Sequence, residues 1–207
     1  MNPQKTLWEN LAKKNPLYYI NSDFGKGITE KQFRESGRKD YCKYVLNDDL
    51  IDKDFWKSTF LEIGCGIGRM TEFIAYDFKK VIGTDISKTM IEKGRERLSE
   101  LDNVKLVETD GETIPLEDCT VDVAFSYLVF QHFKTKQMVI KNFQETYRVL
   151  KPGGIFKARV RIDKIKDMKP WWAGVDCNES YAVKCGFTLL KREEVKNYGL
   201  WLWLVKQ

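Results

Sequence analysis

The sequence predicts an α/β fold: a doubly wound, mostly parallel sheet preceded by an N-terminal helical extension. Three observations predict it. From residue 58 onward, short apolar runs alternate with amphipathic helical stretches. Three glycines crowd into five positions where the first apolar run ends. The chain closes on two successive strand-like runs. Continuous apolar strands alternating with helices mark a parallel sheet covered on both faces. Two strands joined by a tight turn pair antiparallel.

Taken in order, Leu7, Trp8 and Leu11 recur at helical spacing. "NPLYYINSDFGKG" reads as a loop, with Pro16, Gly25 and Gly27 as breakers. Phe33, Tyr41, Tyr44 and Val45 can share one helix face. Residues 1–55 are therefore expected to be a helical extension and candidate lid, packed on a domain spanning 56–207. "STFLEIG" is the first strand, "MTEFIAYDF" a helix and "KVIGTDI" the second strand. Ser87 can cap the next helix, whose Met90, Ile91, Gly94 and Leu98 form a stripe. "VKLVETD" and "VDVAFSYL" are the third and fourth strands. Lys136 to Leu150 is a long amphipathic helix with Val139, Phe143, Tyr147 and Leu150 in register. "LKPGG" is expected to stop it in a tight turn, because Pro152 cannot continue a helix. "IFKARVRI" is the fifth strand. "FTLLKREEV" and "LWLWLVK" form the closing hairpin, with Asn197 and Gly199 in its turn.

At 43% hydrophobic and 31% charged residues, the 207-residue chain can bury a core and is not disordered by composition. The net charge of +5 comes from residues 151–207, which hold 12 basic and 6 acidic groups. That excess is too small to indicate nucleic acid; it suits an anionic small molecule. Five cysteines, with no pair at CxxC spacing, argue against a metal site or a disulfide framework. No apolar run is long enough to span a membrane, and the first 20 residues hold no signal-like stretch. A reduced, cytoplasmic protein is expected, as a monomer or homodimer.

The glycine run is "LEIGCGIGR", residues 61–69. In an open parallel sheet, ligands sit at the carboxyl ends of the strands. Gly64 can take a turn at positive φ, Gly66 can admit a ligand close to the backbone, and the next helix offers free amides. A dinucleotide loop wants a third glycine at position 69. Here that position is Arg69, and the glycine comes one residue early, at Gly68. Glu62 would repel a pyrophosphate but not a ligand carrying an amino group and a sulfonium. Asp85, at the end of "VIGTD", can accept bonds from both hydroxyls of a ribose. Asp110, followed by Gly111, can take an adenine amino group, with Ile86 and Ile114 beside the ring.

Residues 59–162 resemble the class I S-adenosylmethionine-dependent methyltransferases, in the branch similar to small-molecule and quinone-biosynthesis enzymes. The matching blocks are "LEIGCGIGR", "VIGTDIS", "VETDGETIPLEDCTVDVAFSYLVFQHF" and "VLKPGGIF", in the family's order. The resemblance implies a Rossmann-like, seven-stranded sheet with its last strand antiparallel. It implies S-adenosylmethionine as methyl donor and S-adenosylhomocysteine as product. By position, Gly64 and Gly66 would flank the methionine part and Asp85 would hold the ribose, with Glu62, Cys65 and Ile86 also lining the cofactor. Asp110 and Gly111 would hold the adenine, with Ser126 and Tyr127 near the sulfonium.

The accepting side is read from fewer residues. His132, the only histidine, could act as a general base or simply pack at the start of the next helix. Lys157, Arg159 and Arg161 alternate onto one strand face. Arg159 or Arg161 could bind a carboxylate or phosphate on the acceptor, or pair with nearby acids. Trp171 and Trp172 could cap an acceptor pocket, and Tyr18 and Tyr19 could close over the ligand. The leading function is methyl transfer to a small, possibly anionic molecule. Modification of a protein or nucleic-acid group and a non-catalytic regulatory role are the alternatives. "SYLVF" after the fourth strand lacks the NPPY pattern used on exocyclic nitrogens.

Overall fold

The computed structural model describes residues 3–51, 54–162, 174–196 and 199–207. They fall into two compact units, Met1–Asp110 and Gly111–Gln207. The seven strands make a sheet in the order β3-β2-β1-β4-β5-β7-β6.

The first unit holds α1 (Pro3–Lys14), α2 (Pro16–Ile20), α3 (Glu30–Tyr41), β1 (Thr59–Ile63), α4 (Thr71–Asp77), β2 (Lys80–Asp85), α5 (Lys88–Arg97) and β3 (Val104–Glu108). β1, β2 and β3 run parallel, with Glu62 opposite Gly83 and Gly83 opposite Leu106. Phe60, Leu61, Val81, Ile82 and Leu106 are buried, as doubly covered strands require. Ser87 caps α5 by accepting the Met90 amide at 3.2 Å, and Met90, Ile91, Gly94 and Leu98 are buried. The N-terminal helices belong to this same unit.

One expected loop is helical. Pro16 begins α2, where its missing N–H and fixed φ fit the first turn, and the Asn15 side chain accepts the Tyr18 amide at 3.1 Å. A single 3-10 turn at Ser22–Phe24 follows. Pro16 thus starts a helix rather than breaking one; Asn21 caps its end, and Gly25, at φ 71°, ends the 3-10 turn. α3 opens on a capping box between Thr29 and Gln32 and widens at its end into one π turn, Cys42–Leu46.

The second unit holds β4 (Val121–Ser126), α6 (Lys136–Val149), β5 (Leu150–Arg161), α7 (Glu179–Lys184), β6 (Thr188–Val195) and β7 (Gly199–Val205). β4 and β5 are parallel; β7 is antiparallel to both β5 and β6. Phe130, Phe143, Phe156 and Phe187 pack ring against ring at 4.9–6.4 Å. "LKPGG" is a bulge inside β5, not a turn before it. The register passes from Val121–Leu150 to Val123–Ile155, so five steps along β5 match two along β4. Gly153, at φ 80°, donates to the Lys206 carbonyl at 2.7 Å, and Lys206 donates back to Gly154. Backbone pairing therefore holds the bulge in the sheet. At the hairpin, Gly199 is the first residue of β7, and Asn197 lies outside the described residues.

Candidate active site

β1 delivers the chain into a loop built on three glycines at positive φ: Gly64 at 75°, Gly66 at 57° and Gly68 at 81°. The amides of Gly64 and Cys65 both donate to the Thr84 carbonyl, at 2.7 and 3.0 Å, tying the loop to the end of β2. Asp85 adds a second tie. Its Oδ2 accepts the Gly66 amide at 3.0 Å and its Oδ1 accepts the Ser87 amide at 2.9 Å. One carboxylate thereby bridges the glycine loop and the start of α5. A carboxylate accepts in about four directions, so acceptor capacity is left for ligand hydroxyls. Burial raises the proton affinity of Asp85, against the bonds from Ser87 and Gly66. Ile86 beside it is half-buried.

Glu62 lies deep beneath the loop and accepts the Thr71 hydroxyl at 2.5 Å. Burial pushes its pKa up to about 7, opposed by the Thr71 bond and the Arg69 charge and reinforced by Asp85. Cys65 turns its side chain inward: a Cβ on Gly83 would stand 2.9 Å from Cys65 Sγ. Its thiol is held protonated by burial. Only the Cys65 backbone stays on the loop.

The two later glycines serve protein packing. A Cβ on Gly66 would stand 2.7 Å from Ile20 Cδ1, so the α2 terminus packs closely against this glycine. A Cβ on Gly68 would stand 2.5 Å from Leu98 Cδ1, which explains the early third glycine as a close approach to the end of α5. Arg69 is buried, with Nη1 2.7 Å from Asp40 Oδ2 and 3.3 Å from Ser36 Oγ. A Cβ on Gly37 of α3 would stand 2.1 Å from the Arg69 carbonyl oxygen. α3 therefore rests directly on the glycine loop.

Tyr18 packs against the cluster of Ala12, Ile28, Phe33, Ile67 and Met90, edge-on to Tyr19 at 4.9 Å. Ile20 meets the loop at Gly66, and Tyr18 meets it through the cluster that holds Ile67. α1 brings a further acid that the sequence reading passed over. Glu9 accepts the Ser87 hydroxyl at 2.8 Å, the Thr89 amide at 3.1 Å and the Thr89 hydroxyl. Burial works against its charge, but these bonds outweigh it and bring its pKa to about 2. β3 ends at Glu108, so Asp110 lies two residues past the strand and is exposed.

The second unit opens with Gly111, at φ 87°, whose carbonyl accepts from Asn142 Nδ2 at 2.9 Å. Ile114 is buried, its amide held by Glu145 at 3.0 Å. Ser126 ends β4 and is fully buried. Tyr127 lies parallel to Trp201 at 5.7 Å and beneath the Arg159 guanidinium, 5.5 Å from the ring centre. Leu128 follows at φ 61°, a conformation that strains a residue with a Cβ. Nothing in "SYLVF" signals that strain.

His132 is buried in the 3-10 turn Phe130–His132. Its Nε2 is 3.3 Å from Gln131 Nε2, and Gln131 Oε1 accepts from Arg161 Nη2 at 3.4 Å. With its oxygen turned to the guanidinium, the Gln131 amide presents N–H to the imidazole. That arrangement fits an unprotonated Nε2. The 174–177 segment braces both sides: Gly174 N–H donates to the Gln131 carbonyl, and Cys177 N–H to that of Arg161. Burial weakens the proton affinity of Arg161, and the Arg159 charge weakens it further. Lys134 is affected by burial and then by Arg161. Three cations thus share the carboxyl end of β5 and the turn after β4. Lys157, lower on the same strand face, sits 4.7 and 4.6 Å from the rings of Trp201 and Trp203. Trp171 and Trp172 lie outside the described residues.

The acceptors around the glycine loop are carboxylates: Glu62, Asp85 and, behind Ser87, Glu9. They suit a ligand offering hydroxyl and ammonium groups and would repel a diphosphate, so the residues present fit S-adenosylmethionine. Among the described residues, no group of His, Cys, Asp and Glu side chains could hold a metal ion. No described helix is long and apolar enough to cross a membrane.

Comparison with known proteins agrees. Residues 61–158 match the family model "Methyltransferase domain". A malonyl-[acyl-carrier protein] O-methyltransferase from Marinomonas sp. is 31% identical over 122 residues, 58% of this chain and 44% of that one. The chain spans less than half the length of the curated relatives it matches. A SAM-dependent methyltransferase from Aquifex aeolicus superposes with a TM-score of 0.66 at 18% identity, covering 87% of this chain and all of that one. Phosphoethanolamine N-methyltransferase 1 from Haemonchus contortus, in complex with phosphoethanolamine and S-adenosylhomocysteine, gives 0.69 at 18% identity over 98% of this chain and 48% of its own. Residues 61–158 thus resemble the methyltransferase domain, and the chain is built on the fold of the S-adenosylmethionine-dependent methyltransferases.

Proposed function

We propose that this protein transfers a methyl group from S-adenosylmethionine to a small molecule carrying an anionic group. The observation that carries the reading is the Asp85 bridge between Gly66 and Ser87, set under a positive-φ glycine loop with Glu62 buried below. S-adenosylmethionine, when bound, supplies a methyl group already activated on a sulfonium. The chain's own part is to hold, align and exclude water, worth up to about 7–11 kcal/mol of barrier in well-oriented systems.

In this reading Gly64, Cys65 and Gly66 lend backbone to the methionine part, and Glu62 provides negative charge beneath it. Asp85 takes the ribose hydroxyls, and Ile86 and Ile114 flank the adenine ring. Asp110 and Gly111 serve the adenine, and Ser126 and Tyr127 stand near the reacting end. Residues 1–55 act as the lid and 56–207 as the transferring domain. Arg161, flanked by Arg159 and Lys134, receives the anionic group of the acceptor. His132 would take a proton where the acceptor must lose one, at an Nε2 released by the Gln131 amide. The phosphoethanolamine-binding neighbour and the malonyl-carrier relative support an anionic acceptor by similarity.

The test is a screen of small carboxylates and phosphomonoesters with methyl-labelled S-adenosylmethionine. Label should pass to at least one of them. Arg161→Ala should raise the KM for that acceptor about tenfold or more, as loss of a charged bond does, while cofactor affinity holds. Transfer only to neutral or cationic acceptors, or equal losses in both affinities, would overturn the anionic assignment.

A further inference from the structure

Glu9 stands outside every matched block, yet it bonds directly to the residues that follow β2. Its carboxylate takes the Ser87 hydroxyl, the Thr89 amide and the Thr89 hydroxyl, and Lys13 Nζ lies 3.4 Å away. Ser87 is also the cap of α5 and the residue whose amide holds Asp85 Oδ1. A serine hydroxyl has one proton. Given to Glu9, it leaves the lone pair for the Met90 amide and fixes the Ser87 turn. The helix N-terminus therefore carries two carboxylates with separate tasks. Glu9 takes the Thr89 amide, and Asp85 takes the Ser87 and Gly66 amides, so the Thr89 amide does not compete for Asp85.

We infer that Glu9 is a positioning residue for the cofactor: through Ser87 and Thr89 it sets the Asp85 carboxylate in place for the ribose, making the N-terminal segment part of the cofactor site. Ile20 marks the same segment from its other end. It packs on Gly66, whose amide is the second anchor of Asp85. α1 and α2 thus brace both anchors of one carboxylate. The inference rests on the cofactor reading above and deepens it.

Calorimetry with S-adenosylhomocysteine and its 2′-deoxyribose analogue tests it, alongside thermal melts of each variant. Glu9→Gln should weaken S-adenosylhomocysteine binding about tenfold, as expected for a disturbed charge-assisted contact. It should also shrink the preference for the ribose over the deoxyribose ligand, which a role in stability alone would leave unchanged. Thr89→Val, which keeps the charge and removes one bond, should move both readouts in the same direction by less. Glu30→Gln, which removes an exposed carboxylate paired with Arg97, should move neither. If Glu9→Gln is too unstable to assay, Thr89→Val decides. Wild-type binding with an unchanged ribose preference in the folded variants would overturn the inference. Absence of wild-type binding would instead overturn the cofactor reading.

Discussion

Glu62→Gln should make the protein more stable at alkaline pH and no more stable at acid pH. Glu62 is buried, and its pKa rises to about 7 from an ordinary 4.5. The folded chain thus holds this proton more tightly than the unfolded chain. The resulting stabilisation is fully present below pH 4.5 and is lost as pH rises through 7. Keeping its proton up to about pH 7 rather than 4.5 corresponds to roughly 3 kcal/mol. Glutamine keeps an oxygen for the Thr71 hydroxyl and carries no charge to bury. Urea unfolding of wild type and variant at steps from pH 4.5 to 9 measures the difference. It should be near zero at the acid end and approach about 3 kcal/mol at the alkaline end. A difference that does not change with pH, or a variant less stable throughout, would refute the reasoning. The same substitution should weaken S-adenosylhomocysteine binding, since it removes the charge under the methionine part.

Glu9 runs the other way. Its pKa of about 2 lies below the ordinary 4.5, so its contribution is present above pH 4.5 and is lost as pH falls toward 2. With its side chain 22% exposed, that contribution is about 2 kcal/mol. Amide exchange followed down that range should show the Ser87–Met90 amides losing protection in wild type but not in Glu9→Gln, where they are unprotected throughout. Gly37→Ala should destabilise by about 2–3 kcal/mol in chemical denaturation: a clash at 2.1 Å outweighs the roughly 1 kcal/mol gained in helix propensity. A neutral or stabilising result would contradict the close packing of α3 on the loop. His132 is the only histidine, so nitrogen NMR reads it without ambiguity. Neutral imidazole should carry its proton on Nδ1, and Gln131→Leu should abolish that preference; an Nε2 proton in wild type would contradict the bridge to Arg161.

The fold was legible because its strands are apolar on both faces and its helices carry clean stripes, as in Met90, Ile91 and Gly94 of α5. "LKPGG" misled because proline and two glycines signal a turn, and only the pairing of Gly153 and Gly154 with Lys206 shows a bulge. Pro16 misled because proline breaks a helix interior but favours a first turn, and the cap on Asn15 decides between the two. At the site, Glu62, Asp85 and the glycines could be read from local order, since each chemistry follows from a few adjacent residues. Ile20, Glu9 and the Asp40–Arg69 pair could not. They act from α1, α2 and α3 across long sequence separations, and a lone acid or isoleucine in a helix carries no mark of what it touches. A faint signal was present for Gly68: a glycine one place early announces a close approach, and Leu98 supplies it. Cys65 shows the converse, since its place in the motif says nothing of its inward side chain.

Titration calorimetry of S-adenosylhomocysteine against wild type and Asp85→Ala tests the central claim most directly. Wild type should bind one equivalent, and Asp85→Ala should bind at least tenfold more weakly, as loss of a charged hydrogen-bond acceptor for two hydroxyls demands. No binding by the folded wild type, or equal binding by Asp85→Ala, would contradict it.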